Sequence, residues 1–130
     1  MQQCQEKLNR KEALALWHQV NLNGVLADVP DLATRQLALL TTVYLEEGPH
    51  TVRSLAEQLN VTKAVITRAL NTLTGYGFVD RGPDLRDKRS VLVKRTAGGS
   101  RYLAAFSARI CRAAQTLDRR LDQRKVMPLK

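Results

Sequence analysis

Between Thr51 and Tyr76 the chain carries two amphipathic stretches separated by only two residues, Asn60-Val61, and this spacing leaves few folds open. The first stretch predicts a short helix from about Arg53 to Leu59. The second predicts a longer helix that reaches about Tyr76, with Gly75 and Gly77 marking its end. Thr51 and Thr62 stand just before these patterns, where a hydroxyl can accept a free backbone N–H of the first turn. Small Ala56 allows the two helices to approach closely, and Leu55, Leu59, Val61, Ile66, Leu70 and Leu73 supply their shared core. Thr62, Lys63, Val65, Thr67 and Arg68 are left outward at the start of the second helix. Two helices at a short turn are also common in proteins that bind no DNA, so the pair does not decide function by itself.

The flanking sequence predicts a mainly α-helical chain with a small β-hairpin. A helix is expected from about Glu6 to Leu26, with Ala13, Leu16, Trp17, Val20 and Gly24 on one face. After the break at Pro30-Asp31, a second helix runs from about Leu32 to Glu47, with Leu37, Leu40, Tyr44 and Leu45 inward, and Gly48-Pro49 stops it. Phe78–Arg81 and Val91–Lys94 read as two strands around a polar, turn-rich tip from Gly82 to Arg89. A final helix from about Gly99 to Gln123 carries Leu103, Phe106, Ile110, Ala114, Leu117 and Leu121 as a continuous apolar seam. The whole is read as one regulator of 130 residues, with a core at 32–98 and a helical dimerisation region at 1–31 and 99–130.

Charge is distributed unevenly. The formal net charge is +9, yet residues 1–61 carry −2, residues 62–104 carry +6 and residues 105–130 carry +5. Positive charge that begins abruptly at Thr62 suits a polyanion-binding surface. The longest apolar runs are far too short to span a bilayer. The polar start of the chain lacks the apolar stretch of a secretory signal, so a soluble, cytoplasmic protein is expected. Cys4 and Cys111 form no C-x-x-C pair. Cys4 reads as a thiol on a frayed terminus and Cys111 as packing beside Ile110. His18 and His50 lack acidic or cysteine partners at ligand spacing, so no metal is expected, and no cofactor motif or nucleophile–base set argues for an enzyme. Trp17 reads as core or interface, and Arg119, Arg120, Arg124 and Lys125 either as a solvated helix face or as a source of added phosphate contacts.

The hairpin shifts the balance toward double-stranded DNA. Five of the eight residues from Gly82 to Arg89 are charged, and Arg86, Lys88 and Arg89 are cationic. Such a tip can be a solvated loop, but directly after the helix pair it reads as a wing that lies along the duplex and offers an arginine to the narrow minor groove. At least one of Asp84 and Asp87 is expected to orient a guanidinium by a bidentate pair. The second helix would enter the major groove, where Lys63 and Arg68 can meet phosphate or guanine, Thr62 and Thr67 can hydrogen-bond, and Val65 can meet a thymine methyl.

These residues resemble the multiple-antibiotic-resistance regulator (MarR) family of bacterial winged helix-turn-helix proteins. Asp84-Leu85-Arg86-Asp87-Lys88-Arg89 is similar to that family's D-x-R-D-x-R wing, and Thr96-Ala97-Gly98-Gly99 to the T-x-x-G that leads into its next helix. Val61–Arg68 resembles the recognition helix, and Gly77-Phe78-Val79 its exit into the wing; the likeness covers roughly residues 32–105. The resemblance implies a homodimer built from the terminal helices, binding a pseudo-palindromic operator, usually as a repressor. It assigns Arg86 to the minor groove and Thr62–Arg68 to the major groove, and it implies release by a small-molecule effector or by cysteine oxidation. The chain departs from the family in being short, with little sequence after the last helix, and in placing Arg95 where an apolar strand residue is usual. That arginine predicts an exposed wing base. A winged-helix module for protein or RNA, and an architectural DNA binder without base reading, are the alternatives.

Overall fold

The computed structural model describes residues 8–122, with side chains through Arg120. The expected beginning of the first helix at Glu6, and Cys4, Leu121, Arg124 and Lys125 as side chains, lie outside the described residues. The elements are α1 (Arg10–Leu26), α2 (Thr34–Leu45), β1 (His50–Thr51), α3 (Val52–Leu59), α4 (Lys63–Gly75), β2 (Val79–Asp84), β3 (Asp87–Arg95) and α5 (Ala97–Asp122). The fold is mainly helical with a small antiparallel wing. The chain divides into two compact units, residues 32–104 and a helical unit of residues 1–31 with 105–130.

In the first unit, Leu39, Leu40, Val43, Leu55, Ile66, Leu70 and Leu73 are fully excluded from solvent. Each large aliphatic side chain buried in this way contributes about 1.5–3 kcal/mol. Of the expected shared core, Leu59 and Val61 are only half-buried. On α2 the inward residues are Leu39, Leu40 and Val43, whereas Leu45 is 82% exposed. Leu45 ends the helix, where the chain turns away and leaves the side chain outside.

Local hydrogen bonds explain the element ends. Thr51 and Ser54 cap α3 reciprocally: Ser54 N–H donates to Thr51 Oγ1 at 3.0 Å, and Thr51 N–H to Ser54 Oγ at 2.9 Å. Asn60 ends α3 in the left-handed region at φ 56°, a conformation that asparagine tolerates better than most residues. Thr62 Oγ1 then accepts from Val65 N–H at 3.2 Å to start α4. Gly77, at φ +79°, ends α4: its N–H donates to Thr74 O and that of Phe78 to Leu73 O, both at 2.9 Å.

The sheet has the order β1-β3-β2. The two-residue strand β1 was not expected; it pairs His50 with Val93 and Thr51 with Leu92. The hairpin is longer than expected. Pairing of β2 with β3 continues through Gly82–Leu92 and Pro83–Val91, then shifts register to Asp84–Asp87, so only Leu85-Arg86 remain as the turn.

One hydroxyl joins the wing base to the helices. Tyr44 Oη accepts from Thr96 N–H at 2.8 Å and lies 2.8 Å from Phe78 O and 3.0 Å from Thr96 O, to which its single proton is shared. Thr96 Oγ1 donates to Gly77 O at 2.7 Å and accepts from Gly99 N–H at 2.9 Å, which caps α5. A β-carbon at Gly99 would overlap the Tyr44 hydroxyl and Phe78 O, so only glycine fits there. Arg95 is exposed, as expected, but it is bonded. Its Nε donates to Val43 O at 2.8 Å and its Nη2 to Glu46 O at 3.1 Å, satisfying carbonyls at the end of α2, and it lies over the Tyr44 ring.

In the helical unit, α1 begins with a capping box between Asn9 and Glu12. None of its residues is buried, and the expected face divides: Leu16, Val20 and Gly24 are half-buried, while Ala13 and Trp17 are exposed. Leu14, Trp17, Leu22, Val25 and Leu26 leave apolar surface in solvent, Val25 and Leu26 by 80% and 76%. On α5 the buried stripe is Tyr102, Arg109, Ala113 and Leu117, with Phe106 half-buried; Ile110 and Cys111 are exposed. The seam is therefore rotated from the expected one, and the expected packing of Cys111 is corrected. Tyr102 sets the start of the stripe by stacking on Phe78 with ring centroids 4.3 Å apart.

Replacing Tyr44 by Phe is expected to destabilise the chain by about 1–3 kcal/mol, because it leaves a part-buried backbone N–H unpaired. Urea unfolding measures this, and unchanged stability would refute the hydroxyl's organising role.

Candidate nucleic-acid interface

The caps at Thr51 and Thr62 bring the first turns of α3 and α4 toward the wing strand β3. Val52, Arg53, Lys63, Thr67, Asp87, Arg89, Ser90 and Val91 line one groove of about 370 Å³. Lys63, Thr67 and Arg89, singled out in the sequence, therefore converge. Thr62, Val65, Arg68, Arg86 and Lys88 are not among the lining residues. Thr62, Arg68, Arg86 and Lys88 are exposed, and Val65 is half-buried because it follows the cap toward the core.

Arg53 was missed by sequence reading. Its signal was the cap itself: a threonine N-cap at 51 puts residue 53 in the first turn of α3, beside the hairpin. Arg53 makes an exposed ion pair with Glu57 at 3.8 Å, and Arg89 one with Asp87 at 3.6 Å. Pairs this exposed contribute about 0–1 kcal/mol, so either cation can exchange its carboxylate for another anion at little cost.

The aspartates do something other than expected. Asp84 Oδ1 accepts from Arg86 N–H at 2.9 Å, and Asp87 Oδ1 from Arg89 N–H at 3.0 Å. These side chain–backbone bonds shape the tight turn. No bidentate pair forms, and Arg86 has no ion-pair partner among the described residues. Arg86 is exposed at the turn, and it is its backbone N–H that Asp84 holds.

Two helices at a capped two-residue turn, followed by a basic antiparallel hairpin, define a winged helix-turn-helix. The sequence profile of the MarR family matches residues 32–91. An HTH-type transcriptional regulator of Mycobacterium tuberculosis is 39% identical over 70 residues, covering 54% of this chain and 48% of that protein. The multiple antibiotic resistance protein MarR of Escherichia coli is 46% identical over 46 residues, 35% of this chain and 32% of its own. Residues 32–91 are thus similar to the MarR family. The chain spans about half the length, or less, of these curated relatives. Among solved structures, a single-residue variant of S. aureus MepR, bound to an oligodeoxyribonucleotide, aligns with a TM-score of 0.70 at 20% identity over 83% of this chain and 77% of that one. A transcriptional regulator of Thermotoga maritima aligns at 0.64 and 21% identity, over 85% and 72%. At this identity the likeness is one of fold.

Because Thr62 starts the helix that presents Lys63, Thr67 and Arg68, Thr62→Ala is expected to cost about 1 kcal/mol of stability while Thr62→Ser retains it. Denaturant midpoints of the two variants check this, and equal loss in both would exclude capping by the hydroxyl.

Proposed function

We propose that this chain is a sequence-specific double-stranded DNA-binding transcriptional regulator, working without catalysis as a cytoplasmic homodimer on a pseudo-palindromic operator, most simply as a repressor. The observation that carries the reading is the groove in which Arg53, Lys63 and Arg89 converge between the first turn of α4 and the wing. A phosphate strand in that groove would let α4 enter the major groove with Thr62, Lys63, Val65, Thr67 and Arg68 toward the bases, while Arg86 reaches the minor groove and Lys88 the backbone. The family of residues 32–91 supports the same assignment.

The homodimer rests on the helical unit. Leu14, Trp17, Leu22, Val25 and Leu26 on α1, with Ile110 on α5, expose more apolar surface than an isolated domain needs. A two-fold contact through these helices would cover it and pair two recognition helices. Half-sites about one helical turn apart, roughly 10 base pairs, would follow.

The test is a selection of purified protein from a random duplex pool at near-physiological salt. An enriched inverted repeat is expected. Retention without a motif would instead indicate backbone and shape recognition, and no retention would favour a module for protein or RNA. On the selected duplex, Arg86→Ala is expected to weaken binding by about 1–3 kcal/mol with unchanged melting. Fluorescence anisotropy reads the affinity, and wild-type binding would reject the wing assignment.

A further inference from the structure

The C-terminal end of α2 is capped by the wing. The ladder of α2 closes with Glu46 N–H on Thr42 O at 3.0 Å, so Val43 O has no helical donor beyond it. No cation stands in the last turn of α2 to meet the negative end of its dipole. Arg95, at the end of β3, supplies the charge and the donors together, with Nε on Val43 O at 2.8 Å and Nη2 on Glu46 O at 3.1 Å.

The Glu46 carbonyl is shared. His50 Nε2 lies 3.0 Å from it and, facing a carbonyl, is the nitrogen that carries the ring's hydrogen. His50 is the β1 residue that pairs with Val93, so β1 and β3 are both anchored to one oxygen at the end of α2. The Glu46 side chain accepts from Gln58 Nε2 at 2.6 Å and ties in α3.

The Tyr44 hydroxyl fixes where the ends of the wing lie, but it is one point, and a single point leaves tilt open. β1 holds one edge of the base through two residue pairs only. Arg95 adds an anchor with direction, because a planar guanidinium bound to two separate carbonyls fixes an angle as well as a distance. Arg89 stands earlier on the same strand, about 20 Å away at about 3.3 Å per residue, so a tilt of about 10° at the base moves it by about 3 Å. A hydrogen bond does not tolerate such a shift.

We infer that Arg95 is a positioning residue: it sets the tilt of the wing against α4, and so whether Arg86 and Arg89 meet a duplex in step with Lys63. The consequence for DNA rests on the function proposed above; the tilt does not.

The test takes two readings on the full chain. Spin labels at Leu85→Cys on the wing tip and Asn71→Cys on the exposed side of α4, in a Cys4→Ser, Cys111→Ser background, give the wing-to-helix distance by pulsed electron resonance without any ligand. Arg95→Gln is expected to shift or broaden that distance by about 3 Å with native circular dichroism. Arg95→Lys keeps the charge but not the fork, is expected to do the same, and replaces Arg95→Gln if that variant does not fold. An unchanged distance overturns the inference. On the selected duplex, fluorescence anisotropy is expected to show binding about tenfold weaker for Arg95→Gln, a loss that adds to that of Lys63→Ala but not to that of Arg86→Ala. Wild-type affinity in Arg95→Lys would mean that the residue meets phosphate directly, and it overturns the inference, as does full additivity with Arg86→Ala. If the wild type binds no duplex, the DNA-binding reading fails and the distance alone decides the role of Arg95.

Discussion

The hydroxyl of Tyr44 is the point on which the winged unit depends. It gathers the backbone at Phe78, where α4 has just released the chain into the wing, and the backbone at Thr96, where the wing returns it to α5. Thr96 closes the same corner by reaching Gly77 and capping α5. The short pairing of β1 with β3 holds one edge of the wing base, and the Tyr44 hydroxyl holds both of its ends. With both ends held to one side chain of α2, and with Arg95 bound to the carbonyls of Val43 and Glu46, the wing and the recognition helix share a frame. The convergence of Lys63 and Arg89 in one groove follows from that frame. The absence of a side chain at Gly99 is a condition for it.

Much of this architecture was legible. The caps at Thr51 and Thr62, the glycine at 77 and the apolar spacing of α3 and α4 report local chemistry, which acts over the same few residues that a reader inspects. What escaped reading is non-local. Strand β1 has two residues, too few to show alternation, and exists because β3 offers it an edge. Arg95 looked out of place in a strand pattern, yet its partners lie about fifty residues earlier in the chain. The wing tip looked like a loop because its charges and Pro83 dominate; the aspartates tighten it through bonds to the backbone two residues on. On α5 apolar residues stand at both 102 and 103, so spacing permits two neighbouring stripes, and the stacking of Tyr102 on Phe78 is a contact that spacing does not reveal.

The arginines show why a net charge of +9 is a poor count of binding groups. Arg95 spends its donors on helix carbonyls and is a structural strut whose charge happens to be positive. Arg109 is buried along α5 and lies over the Phe106 ring. Arg53 and Arg89 hold weak, solvent-exposed carboxylate pairs, and Arg86 at the tip has no ion-pair partner among the described residues. Only groups of this last kind can meet a polyanion without first breaking the fold. The distribution of charge along the sequence located the basic region, but the division of labour within it is set by which nitrogens the fold has already used. A surface that reads DNA therefore has to be built from cations whose native partners are cheap to leave, and the first turns of α3 and α4 with the wing supply that kind of cation.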